Sequence, residues 1–282
     1  MPENVPLSDS PRVYVFDLDG VLYRGAEAVP YAAETLARLR ARPDAPRLFF
    51  LTNNSSQTRA HYRDKLTALG MPCDADEIVT SASATAAYLR TRIAAEESVR
   101  RPRRALAVGG EGIVDELERV GIAVERAAEP MVEGERFDFV VVGLDRSFDY
   151  ARLTRAQQAV LGGALFVATN RDGQFPVEGG RVIPGGGSMV AALQAATDRV
   201  PVVVGKPEVH GLQTILDAAG VEAREAVMVG DRLDTDILCG NALGVPTVFV
   251  LTGVTSLERA DALIAADPGL RPSRTITDLR EL

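Results

Sequence analysis

A chain of 282 residues with 46% apolar and 25% charged residues has the balance of a folded globular protein, long enough for one large domain or two. Its net charge of −8 argues against a nucleic-acid partner, whose phosphates reward clustered Lys and Arg, and no apolar run reaches the ~18 residues of a membrane span. Cys73 and Cys239 stand far apart and form no CxxC pair, so neither a disulfide framework nor a zinc site is suggested, and the first ten residues lack a leader pattern, so a cytoplasmic setting is expected.

The first predicted strand is Val13–Phe16, which runs into Asp17 and Asp19. A helix follows at 32–40, then a strand at 47–51 that ends on Thr52-Asn53-Asn54, then a helix at 57–69. From 84 to 197 the alternation continues, with strands at 105–108, 137–142 and 164–168 and helices at 113–120, 150–161 and 188–196. Three more strands close the chain. Val202–Val204 precedes Gly205-Lys206, 226–229 precedes Gly230-Asp231, and 247–251 precedes Thr252-Gly253, with helices at 211–219 and 234–243. Short continuous apolar runs read as strands buried on both faces, hence a parallel sheet covered by helices. The fold class expected is a doubly wound α/β core over 1–87 and 198–282, with an inserted α/β cap at 88–197. The densest basic run, Arg100-Arg101-Pro102-Arg103-Arg104, reads as a solvated loop.

In such sheets ligands bind at the carboxyl ends of the strands, and that is where the chemically interesting residues fall. Asp17 and Asp19, two apart on an extended chain, can face one site. Asp231 ends another strand, with Asp234 and Asp236 just beyond. Converging carboxylates suit Mg²⁺, although helix capping is the simpler reading for Asp234. Thr52, Asn53, Asn54 and Ser55 lead into a helix and offer donors to an anion, or plain N-caps. Lys206 beside three acids reads as a charge neutraliser for phosphate. Metal, donors and lysine together imply phosphoryl chemistry. The Walker-type pattern is absent, because Val200 stands where its first glycine belongs and Pro207 where Ser or Thr belongs. An aspartate beside Mg²⁺ can be the nucleophile, with a second acid two residues on as general acid and base. His61 and His210 lie in helical patterns and suggest no triad.

The stretches "DLDGVLYRG", "LTNNSS", "VVGKP" and "VMVGDRLDTDI" resemble, in order, the four motifs of the haloacid dehalogenase superfamily. The nearest likeness is to its capped small-molecule phosphatases, the p-nitrophenyl-phosphatase, phosphoglycolate, pyridoxal-phosphate and NagD-like branch. The cap stretches "VVVGLDRSFDY" and "ATNRDGQFPVEGGRVIPGGGS" are similar to that branch too. The resemblance implies a Mg²⁺-dependent phosphomonoesterase with Asp17 as nucleophile and metal ligand. Asp19 would be general acid and base and lend its backbone carbonyl to the metal. Asp231 would be the second carboxylate ligand, with Asp236 behind it. Thr52 and Asn53 would bind the transferring phosphoryl group, Asn54 would touch substrate, and Lys206 would neutralise the phosphoryl charge and orient Asp17. The loop 169–175 would cover the leaving group; some relatives carry a histidine where Phe175 falls. Arg171, Asp172, Asp145 and Arg146 are candidates to contact a small phosphate ester, and the resemblance extends to a homodimer formed through the cap. A phosphomutase of the same superfamily and a non-catalytic phosphate-ligand-binding protein are the alternatives.

Overall fold

A computed structural model describes residues 6–7, 10–96, 102–128, 132, 134–177, 181–253 and 255–282. They fold as two units. The first takes the chain up to Thr52, then Ala60–Val79 and Lys206–Leu282; the second takes Asn53–Arg59 and Thr80–Gly205.

The first unit is built on a six-stranded sheet in the order Arg274–Ile276, Thr247–Val250, Ala226–Gly230, Val13–Phe16, Arg47–Thr52, Ile78–Thr80. Its central pairings are parallel, with Val13 opposite both Ala226 and Arg47. The chain winds outward from Val13–Phe16 to one side, then returns and winds to the other. The switch point therefore lies between Val13–Phe16 and Ala226–Gly230, and ligands of such sheets bind at the carboxyl ends beside it. Alternation along these strands sends Tyr14, Phe16, Leu48, Phe50, Val227, Val229, Val248 and Val250 into one cluster. Leu36 and Leu39 of the helix Ala32–Arg40 close it on that face. Phe249 points the other way and packs with Leu233, Ile237, Ala260 and Leu270. Each fully buried side chain of this kind contributes roughly 1.5–3 kcal/mol.

The second unit has a five-stranded parallel sheet in the order Val202–Val203, Leu165–Ala168, Phe139–Val142, Arg103–Val108, Ile122–Arg126. Leu106, Val108, Val140, Val142 and Phe166 pack with Ala156, Val160 and Leu193 from the helices Tyr150–Leu161 and Gly186–Thr197. An antiparallel hairpin pairs Gln174–Val177 with Arg181–Pro184.

Three sequence expectations differ from what is found here. Val202–Val204 is not a strand of the first sheet: Val202 pairs with Val167, making Val202–Val203 an edge strand of the second unit. The basic run is not all loop. Arg100 and Arg101 lie outside the described residues, but Arg103 and Arg104 open the strand Arg103–Val108, where Arg103 is buried against Asp138 and Glu96. The units also divide elsewhere than 87/88 and 197/198. The helix Ser81–Ala95 packs on Glu111–Arg119 within the second unit, and Val202–Val203 holds the chain there up to Gly205.

Candidate active site

Val13–Phe16 ends where Asp17 begins, and the Asp17 backbone N–H still donates to Val229 O at 2.9 Å. That bond holds Asp17 at the switch point beside Asp231, which follows the neighbouring strand. Beyond Asp231 the backbone makes a π-helical turn, Leu233–Ile237, before the helix Leu238–Leu243. The expected regular helix at 234–243 is thus widened at its start, as happens often at functional sites. The turn carries Asp236 inward while Asp234 stays exposed, paired with Arg232 at 2.9 Å.

One carboxylate oxygen from each of Asp17, Asp231 and Asp236 lies within 4.8 Å of the others, and all three residues are buried. Lys206 is 5% exposed and sits among them, its Nζ 2.5 Å from Asp17 Oδ1 and 2.7 Å from Asp236 Oδ1. It also donates to Leu51 O at 3.0 Å. Burial alone would lower the Lys206 pKa, but the two carboxylates outweigh it and hold the ammonium above its usual range. Burial pushes the Asp17 carboxyl well above the usual carboxylate range; Lys206 opposes this, and Asp236 and Asp231 add to it. One lysine therefore leaves the cluster short of positive charge.

The cluster fits a small divalent cation. Its donors are hard oxygens, they converge, and their mutual repulsion calls for more positive charge than Lys206 provides. The backbone makes room as well. A Cβ at Gly20 would stand 2.5 Å from Asp231 Oδ2, and one at Gly253 would overlap that carboxylate more closely still. Gly20 also has φ +88°, a left-handed conformation that favours glycine. Two glycines thus form a cradle for the Asp231 carboxylate.

Asp19 is placed differently from the strand-alternation expectation. The chain leaves the extended conformation after Phe16, so the two-residue rule no longer governs, and the Asp19 side chain does not join the three-carboxylate cluster. It is half-buried and accepts a hydrogen bond from the Tyr23 hydroxyl. Burial raises its pKa, against the opposing pull of Lys65, Lys206 and that hydrogen bond. A carboxyl held above its usual range keeps its proton to higher pH, which suits a general acid. Tyr23 is itself buried and covered by Lys65, whose Nζ lies 3.4 Å from the ring centroid. Sequence reasoning did not single out Tyr23 or Lys65; Tyr23 lay inside a quoted motif, but Lys65 carries no local signal.

Thr52 ends its strand in the first unit and is buried. Asn53 and Asn54 belong to the second unit. Asn54 Oδ1 accepts from Ser56 N at 2.9 Å and Ser56 Oγ at 2.7 Å, an Asx turn and not the expected helix cap, since the next helix begins only at Arg59. Asn53 Nδ2 donates to Asp172 Oδ2 at 2.9 Å. Of the cap candidates, Asp145 accepts from Ser147 N at 2.8 Å, Arg171 and Arg146 are exposed, and Phe175 packs against the second unit's core. Burial pushes the Cys239 thiol up to about 12 and the Cys73 thiol up to about 11, which disfavours the thiolate at both.

Residues 14–123 match the family model described as haloacid dehalogenase-like hydrolase, and residues 203–282 match a second HAD-hydrolase-like model. The chain belongs to the haloacid dehalogenase-like hydrolases. It is 40% identical over 261 residues to human glycerol-3-phosphate phosphatase, covering 86% of this chain and 79% of that protein. It is 37% identical to the chloroplastic phosphoglycolate phosphatase 1A of Arabidopsis thaliana, covering 91% and 73%. Among solved structures it is similar to the glycerol phosphate phosphatase Rv1692 of Mycobacterium tuberculosis in complex with magnesium. There the TM-score is 0.83 at 35% identity, over 96% of this chain and 76% of that one. The α/β architecture and the enzyme class agree: this is a hydrolase of phosphoric monoesters.

Proposed function

We propose that the chain is a Mg²⁺-dependent phosphomonoesterase that hydrolyses small phosphorylated metabolites through an aspartyl-phosphate at Asp17. The observation that carries this is the Lys206 ammonium bridging Asp17 and Asp236 inside a cluster of three buried carboxylates. Asp17 and Asp231, with the Asp19 backbone carbonyl, would hold Mg²⁺, which supplies positive charge against the incoming dianion.

An Asp17 carboxylate oxygen attacks phosphorus, and the bond from phosphorus to the substrate's ester oxygen breaks. Asp19 gives its proton to that leaving oxygen. Asp19, now a carboxylate, takes a proton from water as the water oxygen attacks phosphorus, and the bond to Asp17 breaks, which restores both acids. Lys206 stabilises the phosphoryl oxygens throughout, and Thr52 and Asn53 orient them. The named activities of the relatives support a short alkyl phosphate as substrate. A cytoplasmic setting and a homodimer through the cap belong to the same reading; among the described residues no helix is long and apolar enough to cross a membrane.

A phosphate-release panel of glycerol 3-phosphate, phosphoglycolate, sugar phosphates, nucleotides and pyridoxal phosphate tests it. Release with Mg²⁺ that stops with EDTA is expected. An isomerised product without released phosphate would instead indicate a mutase, and no turnover of any ester would leave only a binding protein.

A further inference from the structure

The phosphoryl-binding reading of Asn53 leaves a question of orientation. An asparagine amide has two nearly isosteric ends, and a phosphoryl oxygen accepts hydrogen bonds only from the nitrogen end. Something must fix which way the amide points. In the second unit a closed ring of hydrogen bonds does so. Asn53 Nδ2 donates to Asp172 Oδ2 at 2.9 Å. The Asp172 backbone N–H donates to Asn170 Oδ1 at 3.0 Å. Asn170 Nδ2 donates back to the Asn53 carbonyl at 2.7 Å, and Ser81 Oγ donates to the same carbonyl at 2.6 Å.

Each part of the ring has a directional reason. An ionised carboxylate is acceptor-only, so Asp172 can face only the nitrogen end of the Asn53 amide. The oxygen end is packed against backbone, because a Cβ at Gly205 would stand 2.7 Å from Asn53 Oδ1. Asn170 is 4% exposed, so its amide is held by burial as well as by its partners. With Nδ2 fixed through one hydrogen, the second N–H on that nitrogen has a defined direction.

We propose that Asp172, seated by Asn170, is a positioning residue that orients the Asn53 amide toward the transferring phosphoryl group. This rests on the phosphatase reading above and assigns Asp172 to the phosphoryl end of the substrate, not to its leaving group. The sign of the effect separates positioning from plain electrostatics. A carboxylate beside an anion site repels the anion, so on charge alone Asp172→Ala should tighten phosphate binding. Positioning predicts the opposite.

The test measures inhibition by inorganic phosphate, together with kcat and KM for p-nitrophenyl phosphate and glycerol 3-phosphate, in the full chain with Mg²⁺. For Asp172→Ala the inhibition constant for phosphate should rise about 10-fold or more, the worth of one hydrogen bond to a charged group. The loss in kcat/KM should be the same for the aryl and the alkyl ester. Asp172→Asn, which keeps an acceptor oxygen, should recover most of it. In an Asn53→Ala background Asp172→Ala should add less than about twofold, because the group it holds is gone. Tighter phosphate binding, losses that differ between the two esters, or full additivity with Asn53→Ala would overturn the proposal. If Asp172→Ala folds poorly by thermal melting, Asp172→Ser carries the comparison, because its shorter side chain withdraws the acceptor from Asn53 Nδ2: its inhibition constant should rise while that of Asp172→Asn stays near wild type, and a Ser variant that binds phosphate as the wild type does would also overturn the proposal. An Asn53→Ala variant with normal phosphate inhibition and turnover would instead remove Asn53 from the site, a failure of the underlying reading and distinguishable from failure of the positioning step.

Discussion

At the scale of single residues, the proposed chemistry rests on Lys206 and Asp17. A buried ammonium between two carboxylates is stable only while both partners remain, and removing it leaves acids facing an incoming dianion. Lys206→Ala should lower kcat by about 10²–10³-fold, the range seen when one transition-state donor is lost. Steady-state kinetics with p-nitrophenyl phosphate would show this, and a loss under about threefold would remove Lys206 from the role. Gly253 makes a quieter case. Because a Cβ there overlaps the Asp231 carboxylate, Gly253→Ala should weaken Mg²⁺ activation by about 10–100-fold, as displaced support of a metal ligand does. A titration of activity against Mg²⁺ reads it directly; an unchanged midpoint would mean the cradle is not needed. Most of this site was legible beforehand because its acids and lysine sit at strand ends inside short motifs. Gly253 and the link from Asn53 to Asp172 were not, since each acts through a neighbour distant in sequence, and Tyr23 was not, since a tyrosine beside Asp19 carries no signal of which way its hydroxyl points.

At the scale of elements, the long apolar strands and amphipathic helices could be read from pattern alone, and Ala32–Arg40 and Tyr150–Leu161 fall where periodicity puts them. The three-residue strands Ile78–Thr80 and Arg274–Ile276 could not, because so few residues carry no period. Val202–Val203 shows a deeper limit: its apolar content marks it as a strand, but which sheet it joins depends on Leu165–Ala168, which pairing alone decides. The arginines beginning Arg103–Val108 were misleading for the reverse reason, since their partners lie far along the chain. Arg155 shows what such partners are worth. It is buried on Tyr150–Leu161 and reaches Glu125 at 2.9 Å, Glu135 at 3.1 Å and the Arg126 carbonyl at 3.0 Å. Arg155→Ala should cost about 1–3 kcal/mol, because the half-buried Glu135 then keeps only its longer contact to Arg104, at 3.4 Å. Urea unfolding measures it, and a cost below about 1 kcal/mol would show that the network is only decorative to stability.

At the scale of the whole molecule, the chain passes between its two units four times, after Thr52, Arg59, Val79 and Gly205. The charge cluster also links metal to stability. A carboxyl whose folded pKa is raised, as that of Asp17 is, binds its proton more tightly when folded. Its contribution is present below the unfolded value of about 3.9 and is lost as pH rises through the window above it. Mg²⁺ held as proposed would compete with that proton for the ionised acids. Without metal the thermal midpoint should therefore fall between pH 5 and pH 8, and added Mg²⁺ should raise it more at pH 8 than at pH 5. Scanning calorimetry at both pH values checks this, and an equal or larger Mg²⁺ effect at pH 5 would contradict the carboxylate assignment.

The central claim is that Asp17 carries the phosphoryl group. Asp19→Asn should let that group accumulate by removing the base that activates water, and borohydride would then reduce the acyl phosphate to homoserine. The account predicts homoserine at position 17, read by peptide mass spectrometry after a burst of p-nitrophenol. A stoichiometric burst with position 17 still aspartate, or with the modification at any other residue, would contradict it.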